Sequence, residues 1–212
     1  RRTVNLIVRS QNMSQKTPCI ECGEMILPST AQETGGRCMP CKGGYRQSMQ
    51  ESKRRYEEER RYRETPAYRH WVWLVDQVHG EGAGFESLSR ENKVVFAVKA
   101  CIGDVYNGGF LQYFGNSASD FHEWALVGLE VIGGKKSLEL LRSAAKSVRG
   151  ETNVPTEQNE RIEWLHGEEE IPDRIAILDR LEKFDIEFYK DEDDLDTLIN
   201  NYSEDKGLAN GF

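Results

Sequence analysis

The chain has 212 residues, 38% of them hydrophobic and 30% charged, with a formal net charge of −8. That length accommodates one sizeable domain and a small one, and the modest apolar content implies that a long stretch is solvated. No run approaches the roughly 18 apolar residues that span a bilayer, and no secretory h-region opens the chain, so a soluble, cytoplasmic protein is expected.

Residues 1–12, which precede Met13, read as an upstream or non-native segment and are set aside. Charge is divided unevenly along the chain. Residues 1–73 hold 14 Lys+Arg against 8 Asp+Glu, whereas the remainder holds 14 against 28. Such a division suggests two halves with different electrostatic partners. The acidic half should repel nucleic acid and attract basic protein surfaces.

The first element is a cysteine constellation over residues 13–45. Cys19 and Cys22 form one C-x2-C, and fifteen residues later Cys38 and Cys41 form a second. This is the spacing of a four-cysteine zinc site. Two thiolates two residues apart, on turns eased by Gly23 or by Lys42-Gly43-Gly44, can face one tetrahedral ion. Two such turns close the shell and leave no position for water, so the expected Zn2+ is structural. Two disulfides or a redox pair are the competing readings, but nothing points to export and a redox C-x-x-C does not come doubled at this interval. The segment is too short to build a core, so the metal would supply its folding energy. It resembles the zinc-ribbon and treble-clef knuckles found at the N-termini of many bacterial proteins. Cys101 lies far away on an apolar helical face and reads as core.

Residues 46–64 predict a solvated linker helix. Its only apolar or aromatic positions from residue 47 on are Met49, Tyr56 and Tyr62, and it carries opposite-charge i,i+4 pairs such as Glu51/Arg55, Arg54/Glu58 and Glu59/Arg63. Arg54, Arg55, Arg60, Arg61 and Arg63 could track a phosphate backbone, but the interleaved glutamates neutralise them.

From residue 65 to 205 the pattern is helical throughout. Thr65 and Pro66 are a cap and first-turn proline, followed by Trp71, Leu74, Val75 and Val78 up to Gly80. Ser89 opens a helix carrying Val94, Val95, Val98, Cys101, Ile102 and Val105. Ser119 is expected to cap the next, with Phe121, Trp124, Ala125 and Val131 inward and Gly133-Gly134 as the stop. Leu138, Leu141, Ala145 and Val148 mark another, ending at Gly150. A short helix is expected from Pro155 to residue 165. Ile175, Leu178, Leu181, Phe184 and Phe188 mark the next, and residues 194–202 the last, capped by Asp193 or Asp194. Residues 206–212 read as a flexible tail. The fold class is therefore mainly α, an all-α domain of seven or eight helices behind a small zinc knuckle.

Catalytic patterns are scarce. His70, His79, His122 and His166 show no i,i+3 or i,i+4 pairing, and no serine sits in G-x-S-x-G. Glu168, Glu169 and Glu170, with Asp191, Glu192, Asp193, Asp194 and Asp196, form acidic runs that read as solvated carboxylates or as a charged binding face. The remaining candidate is 105-VYNGGFLQYFGNSA-118, whose only ionisable groups are Tyr106 and Tyr113. Asn107, Gly108, Gly109 and Asn116 can supply left-handed backbone positions, as active-site loops often do. Phe110, Tyr113 and Phe114, however, fall on one helix face, and the stretch holds no strong nucleophile or carboxylic acid. Packing is the better reading of it.

The block NGGFLQYFGN, with Asn107, Gly108, Gly109, Phe110, Gln112, Phe114 and Asn116 as its distinctive positions, resembles a bacterial family of DNA-mimic-like domains otherwise of unknown function. The helix before Val105, the segments 124–133, 159-NERIEWL-165, 178-LDRLEKFDIEFY-189 and 194-DLDTLINNY-202 extend the likeness over roughly residues 70–205. The resemblance implies an all-α domain not known to be an enzyme, whose surface carboxylates stand in for phosphates against a basic protein. The leading expectation is a non-enzymatic interaction module that neutralises a basic partner, either a DNA-binding protein or a toxin nuclease for which it is the immunity protein. Direct nucleic-acid binding and membrane association are not expected, and homodimerisation is left open. The alternatives are a zinc-dependent nucleic-acid-binding regulator acting through the basic half, and an enzyme whose NGGF loop lines a pocket.

Overall fold

The computed structural model describes residues 16–150, 154–166 and 174–212. The chain divides into two compact units, Arg1–Arg63 and Glu64–Phe212.

In the first unit, β1 (Thr17–Pro18) and β2 (Met25–Ile26) pair antiparallel. Short helices α1 (Pro28–Thr34) and α2 (Met39–Lys42) and the long α3 (Arg46–Arg63) follow. Among the described residues, the buried apolar set is only Cys19, Ile26 and Cys38, far too little to offset chain ordering by burial alone. α3 has no buried residue. Two of the expected charge pairs form along it, Arg54–Glu58 at 3.7 Å and Arg63–Glu59 at 2.5 Å. The helix falls in the same compact unit as the cysteine segment.

The second unit is helical: α4 (Pro66–His79), α5 (Arg90–Gly115), α6 (His122–Ile132), α7 (Lys135–Arg149), α8 (Gln158–His166), α9 (Arg174–Phe188) and α10 (Leu195–Asp205). Among the described residues, the only strands are those of the first unit. Local chemistry explains most boundaries. Thr65 Oγ1 accepts from Tyr68 N, Ser89 Oγ from Asn92 N, and Asp194 Oδ1 from Thr197 N. Gly133 and Gly150 close α6 and α7 in left-handed conformation.

α5 is the axis of this unit. It packs against α4, α6, α8, α9 and α10, and Val94, Val95, Val98, Cys101, Ile102 and Val105 are all buried. By length and composition it is apolar enough to cross a membrane, but more than half of that apolar window is buried inside the protein. It is the core helix of a bundle.

Five expectations are corrected. Ser119 does not cap α6; it lies in a 3-10 turn, Ser117–Phe121, and its hydroxyl donates back to Phe114 O and Asn116 O. Val131 is 46% exposed, and Leu129 and Ile132 face the core in its place. On α9, Ile175 is 78% and Leu178 41% exposed, whereas Ile177, Leu181 and Phe188 are buried. The physical reason is rotational: two successive steps of three residues drift about 120° around a helix, while a step of four stays near the same face. Finally, α8 begins at Gln158 rather than Pro155. The terminal segment, expected as a flexible tail, is packed: Leu208 lies against the core, and the Phe212 ring is 5.1 Å from His70 and 5.6 Å from Trp73.

Candidate functional site

The four cysteines converge. Their sulfurs lie within 4.8 Å of one another, and Cys22 Sγ is 3.7 Å from Cys38 Sγ. A tetrahedral ion with metal–sulfur bonds of about 2.3 Å has sulfurs about 3.8 Å apart, whereas a disulfide requires about 2.05 Å. All five cysteines stand free, so the disulfide reading is set aside. The backbone makes the cluster. Gly23, at φ 75°, closes the first turn with its N–H on Cys19 O, and Cys38 starts α2 with Lys42 N–H on its carbonyl. Cys38 N–H donates to Cys19 Sγ at 3.2 Å and couples the turns.

Ionisation favours a cation here. Burial opposes the Cys19 thiolate, but the backbone N–H groups of Cys38, Cys22 and Glu21 outweigh it and bring the thiol down to about 6. Burial and the neighbouring sulfurs of Cys38, Cys22 and Cys19 push the Cys41 thiol up. Four sulfurs this close cannot all be thiolates without a positive ion between them. The cluster can hold a metal ion through Cys19, Cys22, Cys38 and Cys41. With four protein ligands the shell is closed, a structural rather than a catalytic arrangement.

The NGGF block has a different character. α5 breaks inside it: Gly108 is extended at φ −164°, and Gly109 is left-handed at φ 76°. Of the positions expected to be left-handed, only Gly109 is; Asn116 has φ −96°. The helix restarts at Phe110, whose N–H donates to Asp185 Oδ1 of α9 at 2.8 Å. A Cβ on Gly109 would stand 2.3 Å from Asp185 Oδ2, so both the backbone angle and the carboxylate require glycine. Tyr189, one turn further along, donates its hydroxyl to Val105 O at 3.1 Å, a carbonyl next to the break. Phe110, Tyr113 and Phe114 are each 0% exposed, and the Tyr113 hydroxyl lies 3.2 Å from His122 Nδ1.

The block ends on a buried arginine. Arg161 of α8, 0% exposed, donates Nε to Phe114 O, Nη1 to Pro155 O and Thr156 O, and Nη2 to Asn116 O and the Asp120 carboxylate. Asn116 Nδ2 donates to Asp104 Oδ1 at 3.1 Å, and Gln158 Nε2 to Gly115 O at 2.9 Å. Asn116 borders a cleft of ≈ 350 Å³ with Asp104 and Lys99, but Asn107 and Gln112 do not line it. The three polar side chains of the block therefore do not converge on one pocket. The block is a packing centre, and Asp185 and Arg161, which sequence reasoning did not single out, are its supports. Neither has a local signal for its role in the block, because Phe110 lies 75 residues from Asp185 and Phe114 lies 47 from Arg161.

Asp185 also predicts a pH effect. Burial raises its carboxyl above the ordinary 3.8, Glu182 adds to the rise, and the Phe110 N–H opposes it. The folded state then holds the proton more tightly than the unfolded one, so this contribution to stability is present at low pH. It is lost as pH rises from 3.8 through the folded value. Asp185→Asn keeps an acceptor for Phe110 N–H and is expected to flatten that slope in urea unfolding across the acidic range. An unchanged slope would refute the assignment.

Of the acidic candidates, Glu168, Glu169 and Glu170 lie outside the described residues. The other five sit in and after the α9–α10 turn, and three hold backbone. Asp193 accepts from Lys136 N and Ser137 N at the start of α7, Asp191 Oδ1 from Leu195 N, and Asp194 Oδ1 from Thr197 N. Asp191 and Asp194 both have φ 50°. Glu192 and Asp196 are exposed. The field is felt locally: partial burial and then the Asp191 and Asp196 charges push the Tyr106 phenol up to about 12. Residues 185–205 contain nine acidic residues and one basic.

A family model for DMP19-like protein matches residues 86–206. No curated protein and no solved structure gives a match. The matched region holds the broken helix, its supports and the acidic turn, begins after the four-cysteine cluster, and covers more than half of the chain. An all-α unit built around the NGGF break and matched over that length belongs to the DMP19-like family of DNA-mimic proteins.

Proposed function

We propose that this protein is a non-enzymatic inhibitor whose acidic helical unit occupies the nucleic-acid-binding face of a basic partner. The partner is a DNA-binding protein, or a toxin nuclease for which this chain is the immunity protein, and the encounter takes place in the cytoplasm. The observation that carries the reading is the acidic turn of a DNA-mimic family member. Asp191, Asp193 and Asp194 are held by backbone N–H groups beside the exposed Glu192 and Asp196. A phosphate mimic needs anions at fixed positions, and a capped carboxylate keeps its charge while losing its freedom to move. Electrostatic steering would then accelerate the encounter and make it sensitive to salt. The ion in the four-cysteine cluster is zinc in this reading, chosen by four thiolates in a closed tetrahedron.

The test is capture of proteins by the immobilised chain at low and high salt. The expected catch is basic, is released by salt and is displaced by duplex DNA. Glu192→Gln combined with Asp196→Asn spares every cap and is expected to reduce capture several-fold at an unchanged melting temperature. Recovery of acidic proteins alone, or of none, would overturn the proposal.

A second reading draws on α3, where Arg54, Arg55, Arg60, Arg61 and Arg63 are all exposed. A zinc-dependent regulator would bind nucleic acid through that helix, and salt-sensitive retardation of DNA or RNA by the chain would favour it. Pairing of Arg54 with Glu58 and of Arg63 with Glu59 weakens its case.

A further inference from the structure

Four thiolates around a divalent cation carry a net charge of two minus, and the first unit has to accommodate that charge next to its small core. Three basic side chains of the cysteine segment and its junction with α3 have defined partners. Arg37 pairs with Glu21 at 2.8 Å with both side chains close to half exposed, and Lys42 Nζ reaches Glu33 O at the surface. Arg46 is different. It is the first residue of α3, directly behind the second cysteine turn, and its side chain is only 19% exposed. Its Nη2 lies 3.2 Å from Glu24 Oε2. Glu24 belongs to the first cysteine turn, where its carbonyl accepts from Cys19 N at 2.8 Å. Arg46 Nε is buried and has no hydrogen-bond partner among the described residues.

A buried cationic N–H without an acceptor is costly unless an anion lies within reach. Burial opposes the guanidinium's charge, but the charges of Cys22, Cys38 and Cys41 and the hydrogen bond to Glu24 outweigh it and raise its pKa.

We propose that Arg46 is the counter-charge of the four-cysteine centre: held by Glu24 between the first cysteine turn and α3, it offsets part of the negative charge of the metal–tetrathiolate and thereby sets the affinity for the ion. This rests on the metal reading given above. Arg46 acts through the thiolates as a positioning residue and does not ligate the ion. Outer-shell partners of this kind typically account for about 10–100-fold in metal affinity.

The experiment is a titration of the reduced chain with Co2+, followed by the thiolate-to-metal charge-transfer and ligand-field absorption. The wild-type chain is expected to show a tetrahedral tetrathiolate spectrum. Arg46→Gln is expected to give the same spectrum with affinity lowered about 10-fold or more, and Arg46→Lys, which keeps the charge, to recover part of that loss. Equal affinity in wild type and Arg46→Gln would overturn the proposal, as would equal losses in the Gln and Lys variants. Absence of the tetrathiolate spectrum from the wild-type chain would overturn the metal reading itself, and this inference with it.

Discussion

Arg161→Ala is expected to lower the melting temperature of the helical unit by roughly 10 °C or more. The guanidinium is 0% exposed and serves four backbone carbonyls and one carboxylate from three separate segments, at residues 114–116, 120 and 155–156. Removing it leaves the end of α5 with carbonyls that α8 and its preceding loop cannot satisfy, and it leaves Asp120 without its partner. Breaking a buried charged contact of this type costs about 3–5 kcal/mol, and about 2–4 °C accompanies each kcal/mol in a unit of this size. Arg161→Lys should retain little of the stability, because an ammonium cannot present the planar fork that reaches carbonyls on several sides. All four tryptophans lie in the second unit, at positions 71, 73, 124 and 164, so tryptophan fluorescence reports on it alone. A melt within two degrees of wild type would show that Arg161 is not a keystone of the fold.

Stripping the metal should have the complementary outcome. A strong chelator, or Cys38→Ser, is expected to abolish the fold of residues 16–45 and leave the tryptophan melt unchanged. Among the described residues of that unit, the apolar burial comes down to Cys19, Ile26 and Cys38, whereas structural zinc supplies about 10–16 kcal/mol in comparable small sites. α3 contributes no buried residue and loses its anchored start at Arg46. An amide NMR spectrum should show residues 16–45 collapsing toward random-coil shifts while the signals of residues 64–212 persist. Dispersed signals for the cysteine segment after complete metal removal would contradict the closed-shell reading.

These two outcomes differ in how visible their causes are in the chain. The cysteine centre is legible at a glance because its spacing is a local constraint. Two residues between thiolates and fifteen between pairs leave few ways to arrange the turns, and the ligands point to their own chemistry. Arg161 and Asp185 are polar residues on amphipathic helices with nothing nearby to single them out. The acidic turn lies between these cases. Its composition is plain, but the difference between Asp193, held against the start of α7, and Glu192, exposed one residue earlier, depends on where a helix 56 residues away begins.

The glycines show the same division. Gly133 and Gly150 stop helices as their positions in the pattern predict, because a C-terminal cap is a local event. The break at Gly108–Gly109 is not local. The aromatic spacing of Phe110, Tyr113 and Phe114 predicts a helix and is correct, yet nothing in that spacing indicates that α5 stops and restarts there around a carboxylate from α9.

The sequence by itself determined the four-cysteine cluster, the helical class, the inward faces of α4, α5 and α7, and the charge imbalance between the halves. Each is set by spacing or composition within a few turns of chain. Only the tertiary structure decided that the NGGF block is a supported helix break, that Arg161 closes it, and that three of the acidic residues serve as caps. Those roles depend on backbone groups left unpaired where one helix ends and on which distant side chain packs beside them, and no short window of sequence contains both partners.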